Sequence, residues 1–243
     1  SYVISNVIKQ VTDLMIKNRL NFDLAIAYAD RFETLGFSIA TSQSGIPLLH
    51  MEAGDITNGG TYDDNIRHCI TKMSHLFCTS TKKGLDILNN LGEESWRSIH
   101  SGLISYEDMK NITEKDKKEI IDEFELENKP IILCTMHPIP NLIKETIYET
   151  SQLFHALKKL SHENNLKIII TAPNNDSGSK DIKDFIDKNI NLIKGAQFID
   201  TLGGHRYQSL LSLAKNRPVI VCGNSSSIIK EAPYFSAHGL NIG

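Results

Sequence analysis

Four stretches of this sequence carry side chains that could move a proton or hold an anion. The first is Ala-Tyr-Ala-Asp30-Arg-Phe-Glu, where an acid follows the apolar run 24–29. The end of such a run in a parallel sheet is the C-terminal edge, where ligands bind. Asp30 is therefore a candidate acid or base, or else the N-cap of the next helix. The second stretch, HMEAGDITNGGTYDDNIRH, runs from His50 to His68. A strand is expected to end at Glu52, a glycine-bearing loop follows, and a helix opens near Asp63. This brings Glu52, Asp55, Asp63 and Asp64 to one sheet edge with His50 and Arg67. Crowded carboxylates raise one another's pKa, which lets one act as an acid near neutral pH. Asp63 or Asp64 could instead cap the helix. Glu52, a carboxylate after an apolar strand and close to Gly54, has no evident structural task.

The third stretch is Cys134-Thr-Met-His137-Pro-Ile-Pro. A strand again ends in a polar residue, an imidazole held by prolines, which could serve as a general base, bind phosphate or be structural. The fourth, VCGNSSSIIKEAP from Val221 to Pro233, is a strand, a small-residue turn and a helix. The N–H groups there and the hydroxyls of Ser225, Ser226 and Ser227 suit phosphate. Glu231 follows where it could accept hydrogen bonds from ribose hydroxyls. A plain capped helix is the alternative. Neither GxGxxG nor GxxxxGK[ST] is present, so a standard dinucleotide or P-loop site is excluded. Asn174, Asn175 and Asp176 follow the run 167–171 and face the same kind of edge, or make an ordinary turn. Arg206 and Tyr207 open a helix after Gly203-Gly204, and Tyr207 could stack on a base or be buried. His68 and His75 are read as structural.

The elements that must position these groups alternate along the chain. Strands are predicted at 24–29, 47–51, 75–80, 97–101, 131–135, 167–171, 196–200, 218–222 and 239–243. Helices are predicted at 1–19, 31–44, 62–73, 81–91, 114–125, 141–163, 179–193, 205–214 and 225–231. This alternation implies right-handed βαβ crossovers and parallel sheets. The short, continuously apolar strands imply cover on both faces. Residues 107–129 are highly charged and read as a linker and a surface helix, which divides the chain into α/β domains 1–110 and 111–243. The first domain reads as lacking its opening strand. The N-terminus lacks the pattern of a secretory signal, and its periodicity predicts a chain that begins within a helix.

Composition narrows the classes of partner. The 243 residues carry 26 basic and 29 acidic side chains, a net charge of −3, so no basic field attracts nucleic acid or anionic lipid. No uninterrupted apolar run approaches the ~18 residues of a membrane span. Cys69, Cys78, Cys134 and Cys222 are dispersed without a CxxC pair, which reads as reduced thiols of a cytoplasmic protein and not as a zinc site.

Taken in order, these stretches resemble the UDP-N-acetylglucosamine 2-epimerase family, and most nearly its hydrolysing branch. Asp30-Arg31-Phe32-Glu33 answers the family's G-D-R-F-E, and HMEAGD from His50 its H-[IV]-[EH]-[GA]-G-[ED]. GTYDDNIRH from Gly60 answers G-T-x-D-[ED]-x-[IV]-R-H, and LGEESWR from Leu91 answers L-G-E-x-P-x-R. His137-Pro138, Pro173-Asn174-Asn175-Asp176 and GNSSSIIKEAP from Gly223 complete the set, which spans nearly the whole chain. Three departures accompany it. The family's first strand with its G-[ST]-R-x-[ED] loop is absent, as is the R-x-x-G-R tail after N-I-G. Ser236-Ala-His-Gly stands where G-x-P is usual. The expectation is a portion of a longer chain, with both domains incomplete.

The resemblance implies an α/β fold of GT-B-like type, two Rossmann-like parallel-sheet domains with a cleft between them. It implies a reaction without metal or other cofactor, in which the C2 proton of a UDP-sugar is removed as the bond to UDP breaks. Water then adds with inversion at C2, giving a free N acetylmannosamine-type sugar and UDP. The substrate class is UDP-N-acetylglucosamine or a 2,4-diacetamido-trideoxy analogue, feeding sialic or legionaminic acid synthesis. By motif position, Asp30, Glu52 and Asp63 would be the acid–base carboxylates and His137 would sit by the diphosphate or C1. Ser225, Ser226 and Ser227 would bind phosphate, and Glu231 the ribose. Arg67, Asn175, Arg206 and Tyr207 would be further substrate contacts, Tyr207 near uracil. The implied setting is cytoplasmic, with a homo-oligomeric full-length form and neither nucleic-acid nor membrane partners. A GT-B glycosyltransferase and a non-catalytic nucleotide-sugar-binding protein are the alternatives. A glycosyltransferase would need an acceptor pocket and does not require three carboxylates at the edge of the first domain.

Overall fold

The computed structural model describes residues 2–18, 22–57, 62–139 and 142–242. Gly60 and Thr61 of the second carboxylate motif, Pro140 of the histidine motif, and residues 1, 19, 141 and 243 of the predicted elements lie outside them. The chain divides into two compact units, Ser1–Tyr106 and Glu107–Gly243.

The first unit comprises α1 (Tyr2–Asn18), β1 (Ala25–Tyr28), α2 (Phe32–Gln43), β2 (Leu48–Met51), α3 (Tyr62–Met73), β3 (Leu76–Thr79), α4 (Lys82–Asn90) and β4 (Ser98–His100). Its four strands are all parallel and lie in chain order, β1-β2-β3-β4. Ala25, Ala27 and Leu48 pack with Ile70 of α3 and Ala40 of α2 in one cluster, and Phe77 packs with Leu88 of α4 in another. The expectation of cover on both faces is not met here. Ile26, Tyr28, Leu76 and Ile99 point to the opposite face and are exposed, Ile26 to 53%. The reason is topological. A sheet that always advances in one direction places every right-handed crossover helix on one side.

After α5 (Tyr106–Lys110), which begins at the boundary, the second unit comprises α6 (Glu114–Phe124), β5 (Ile131–Thr135), α7 (Ile143–Glu163), β6 (Lys167–Thr171), α8 (Ser179–Asn189), β7 (Ala196–Ile199), α9 (Gly203–Ser212), β8 (Val219–Gly223), α10 (Ser227–Lys230) and β9 (His238–Asn241). Its parallel order is β7-β6-β5-β8-β9. The chain builds outward from β5 to β7, then returns to the other side of β5 for β8. All five residues of β5 are buried. One face packs Ile132, Cys134, Ile168 and Ile170 against Leu153, Leu157, Ile182 and Ile186 of α7 and α8. Strands whose crossovers leave in both directions receive helices on both faces, and their sequence is continuously apolar.

The charged segment 107–129 holds more structure than a linker. Thr113 and Asp116 form a reciprocal capping box at the start of α6, and Ile120 and Phe124 turn its apolar stripe inward. The Thr113 side chain, its backbone N–H and then His205 hold the Asp116 carboxyl down to about 2. α5 was not predicted, because five residues bear too little periodicity to be seen.

Candidate active site

In the first unit the site is built at the C-terminal ends of β1 and β2. Ala29 and Glu52, the residues just past each strand, both adopt the left-handed region at φ 58°. Non-glycine residues held there cost free energy, so something must hold them. Ala29 N–H donates to Met51 O at 3.0 Å. Its carbonyl accepts from His50 Nε2 at 2.9 Å, and His50 Nδ1 lies 3.0 Å from Thr71 Oγ1. A carbonyl only accepts, so Nε2 carries the hydrogen and Nδ1 accepts from the threonine hydroxyl. Burial pushes the His50 pKa down to about 4, so the ring stays neutral.

The turn thus held carries Asp30 to Arg67, which donates through Nη2 to Asp30 Oδ2. The same guanidinium donates through Nη1 to Asp64 Oδ1 at 2.7 Å and to the Asp55 carbonyl at 2.8 Å. Arg67 is buried, and desolvation lowers its pKa from the ordinary value. Asp64 also accepts the Thr57 N–H. It therefore ties the glycine loop to α3, a task that helix-cap reasoning did not find. Asp63, one residue earlier in the first turn of α3, is exposed. Glu52 is 7% exposed and accepts from Tyr28 Oη at 3.0 Å. The sequence reading missed Tyr28. Its signal was an aromatic hydroxyl in the last position of β1, opposite Met51 in register. Gly54 secures the loop, since a Cβ there would lie 2.4 Å from the Gly84 carbonyl of α4.

In the second unit the site lies at the ends of β5 and β8, where the chain reverses direction across the sheet, the place where open α/β sheets bind ligands. A cavity of about 340 Å³ there includes Thr135, His137, Thr171, Tyr207, Ser225, Ser227 and Glu231 in its lining. Asn224 grips the His137 backbone from both sides, accepting its N–H at 2.7 Å and donating to its carbonyl at 2.9 Å. Asn174 N–H donates to His137 Nδ1 at 3.0 Å. Asp176 completes that turn, its N–H donating to Asn174 Oδ1 at 3.2 Å. With Nδ1 engaged as an acceptor, a neutral His137 carries its hydrogen on Nε2. The Pro-Asn-Asn-Asp motif therefore sets a tautomer. Its conspicuous member Asn175 is exposed and outside the lining.

Ser227 Oγ donates to Ser225 Oγ at 3.0 Å, and Tyr207 Oη lies 2.8 Å from Ser227 Oγ. Because the one Ser227 proton points to Ser225, the phenol donates to Ser227, and the Ser225 hydrogen is left for a ligand. Burial pushes the Tyr207 pKa up to about 12, so the relay keeps its protons. The predicted helix 225–231 is shorter than expected. α10 is a single turn from Ser227, and Ser226 is exposed outside the lining. Arg206 is also turned elsewhere. Its guanidinium meets Glu123 of α6 and lies over the Phe124 ring. The sequence showed that Arg206 and Tyr207 open one helix, but not which faces they occupy. All four cysteines are free thiols, and no helix among the described residues is long and apolar enough to cross a membrane.

Two Rossmann-like parallel-sheet units, one with a pocket at its switch point, define an α/β protein of GT-B-like fold. The model of the UDP-N-acetylglucosamine 2-epimerase family matches residues 1–243, and the chain belongs to that family. A GDP/UDP-N,N'-diacetylbacillosamine 2-epimerase (hydrolyzing) of Campylobacter jejuni is 34% identical over 91% of this chain. A UDP-N-acetylglucosamine 2-epimerase of Neisseria meningitidis is 28% identical over 99% of it. The chain spans 56% and 60% of the lengths of these two relatives. The crystal structure of the Neisseria meningitidis UDP-GlcNAc 2-epimerase bound to UDP-GlcNAc superposes with a TM-score of 0.76 at 20% identity, covering 98% of this chain and 63% of that one. The Methanocaldococcus jannaschii enzyme in complex with UDP-GlcNAc and UDP gives 0.77 at 17% identity, covering 98% and 64%. At these identities the two structures speak for the fold alone.

Proposed function

We propose that this chain carries the chemistry of a hydrolysing UDP-sugar 2-epimerase. The substrate would be UDP-N-acetylglucosamine or a 2,4-diacetamido-trideoxy analogue, and the products UDP and the free 2-epimeric sugar. The observation that carries the reading is Glu52. It is a buried carboxylate at a strand end, on strained backbone, facing a phenol donor, in the unit that also holds the Asp30–Arg67–Asp64 cluster. Strain of this kind persists where a side chain must be aimed at a ligand. The likeness to the hydrolysing 2-epimerase of Campylobacter jejuni supports the same choice.

The steps balance without a further reactant except water. A carboxylate among Asp30, Glu52 and Asp63 takes the C2 proton while the C1–O bond breaks, and its electron pair leaves with UDP. The resulting glycal takes water, hydroxyl at C1 and a proton at C2 from the opposite face. The second unit holds the leaving group. The Ser225 hydroxyl and His137 Nε2–H are donors suited to a diphosphate, whose charge grows as the bond breaks. Glu231 is the acceptor for ribose hydroxyls. Ser226, Asn175 and Arg206 take lesser parts, because their side chains are exposed or engaged elsewhere.

The test is to incubate the protein with each UDP-sugar and no acceptor. Release of UDP in equal amount with a free 2-epimeric sugar supports the reading. A glycosyltransferase or a binding protein would leave the sugar nucleotide intact under these conditions.

A further inference from the structure

Gln208 follows Tyr207 on α9 and is 3% exposed, close in the helix to buried Leu210 and Leu211. Its Nε2 donates to Glu231 Oε1 at 3.0 Å. Its Oε1 is buried and has no hydrogen-bond partner among the described residues. A buried carbonyl without a partner is destabilising. A leucine of similar volume would fill the space without that cost. The reverse amide orientation would set a carbonyl against a carboxylate, so Glu231 dictates which end faces it. The amide thus serves Glu231 at the expense of its own acceptor.

The chemistry of the pair says what for. Glu231 lines the serine pocket, and its carboxylate has no other hydrogen-bond partner among the described residues. A lysine or arginine beside it would cancel its charge, whereas a neutral amide leaves the charge intact and fixes one oxygen in space. A carboxylate so held keeps enough lone pairs to accept two adjacent hydroxyl groups. We propose that Gln208 is a positioning residue that fixes Glu231 to accept from a vicinal diol, so that the pocket selects a ribonucleoside diphosphate over its 2′-deoxy analogue. This rests on the reading of the pocket as the nucleotide site.

Calorimetry with UDP and 2′-deoxy-UDP tests it on the wild-type protein, Gln208→Leu and Gln208→Glu. The wild-type protein is expected to bind UDP about 10-fold more tightly than 2′-deoxy-UDP, as for loss of a hydrogen bond to a charged group. Gln208→Leu, which removes the unpaired carbonyl and should fold, is expected to weaken UDP about 3- to 10-fold, with the preference falling toward one. Gln208→Glu sets two carboxylates together, which share a proton at low pH and repel at high pH. Its UDP affinity relative to wild type is expected to fall as pH rises from about 5 to 8. An unchanged preference in Gln208→Leu overturns the proposal. If that variant fails to fold, a pH profile of Gln208→Glu parallel to wild type overturns it instead. A wild-type protein that binds neither nucleotide contradicts the nucleotide reading itself and the inference with it, an outcome distinct from the other two.

Discussion

At the scale of single residues, two side chains separate holding from reacting. His50 holds. Its ring is neutral, with a pKa lowered from 6.5 to about 4 by burial. In the unfolded chain it takes a proton as pH falls through 6.5, whereas in the native state it does so only near 4. The unfolded state binds more protons in that window, so stability is expected to decline from pH 6.5 toward 4. At ~1.4 kcal/mol per pKa unit the loss is on the order of 3 kcal/mol. Urea midpoints across this window check it, with His50→Gln as the comparison. A variant and wild type with identical pH dependence would remove His50 as the cause. Glu52 reacts. Glu52→Gln keeps an acceptor for Tyr28 but loses the base, so turnover is expected to fall by ~10²–10⁴ while UDP affinity stays within a few-fold. Near-normal turnover would take Glu52 out of the chemistry.

At the scale of elements, the βα alternation was legible because strands and helices differ in period, and each of the nine predicted strands has its counterpart. The candidate site's placement was legible to the same depth. Asp30, Glu52, His137, Ser225 and Glu231 were visible because polar residues interrupt apolar runs at strand ends. What stayed hidden depends on facing and partners. Tyr28, Asn224 and Gln208 act through contacts 23 to 87 residues away, which no local pattern encodes. Arg206 and Ser226 have suitable types but turn outward. That Ile26, Tyr28, Leu76 and Ile99 of the first sheet are exposed among the described residues follows from strand order, which a sequence does not state. One junction offers a sharp test. Gly223 ends β8 at φ 125°, where an added Cβ would lie 1.8 Å from the Thr135 carbonyl. Gly223→Ala must push β5 from β8 at the pocket mouth, and ~2–4 kcal/mol of destabilisation is expected from overpacking and strain. That corresponds to a melting temperature lower by roughly 4–16 °C at this size. Thr113→Ala, which removes the cap of α6 at a residue outside the pocket lining, is expected to cost only about 1 kcal/mol and to leave UDP affinity unchanged. Equal losses in the two variants would contradict the special tightness of the β5–β8 junction.

At the scale of the whole molecule, the proposed reaction assigns each unit its own part. The first gathers carboxylates around Arg67 and suits proton transfer, and the second gathers hydroxyl and imidazole donors and suits a diphosphate. A binding protein needs only the second set, and a glycosyltransferase would hand the sugar to an acceptor. The reading as an epimerase that releases its sugar therefore stands on C2 chemistry. The most direct measurement is NMR of the reaction of each UDP-sugar in ²H₂O. The expected result is one equivalent of UDP with a free sugar inverted at C2 and carrying deuterium there. A released sugar that keeps the original C2 configuration and its C2 hydrogen would contradict elimination and hydration, and with it the role assigned to the carboxylate edge.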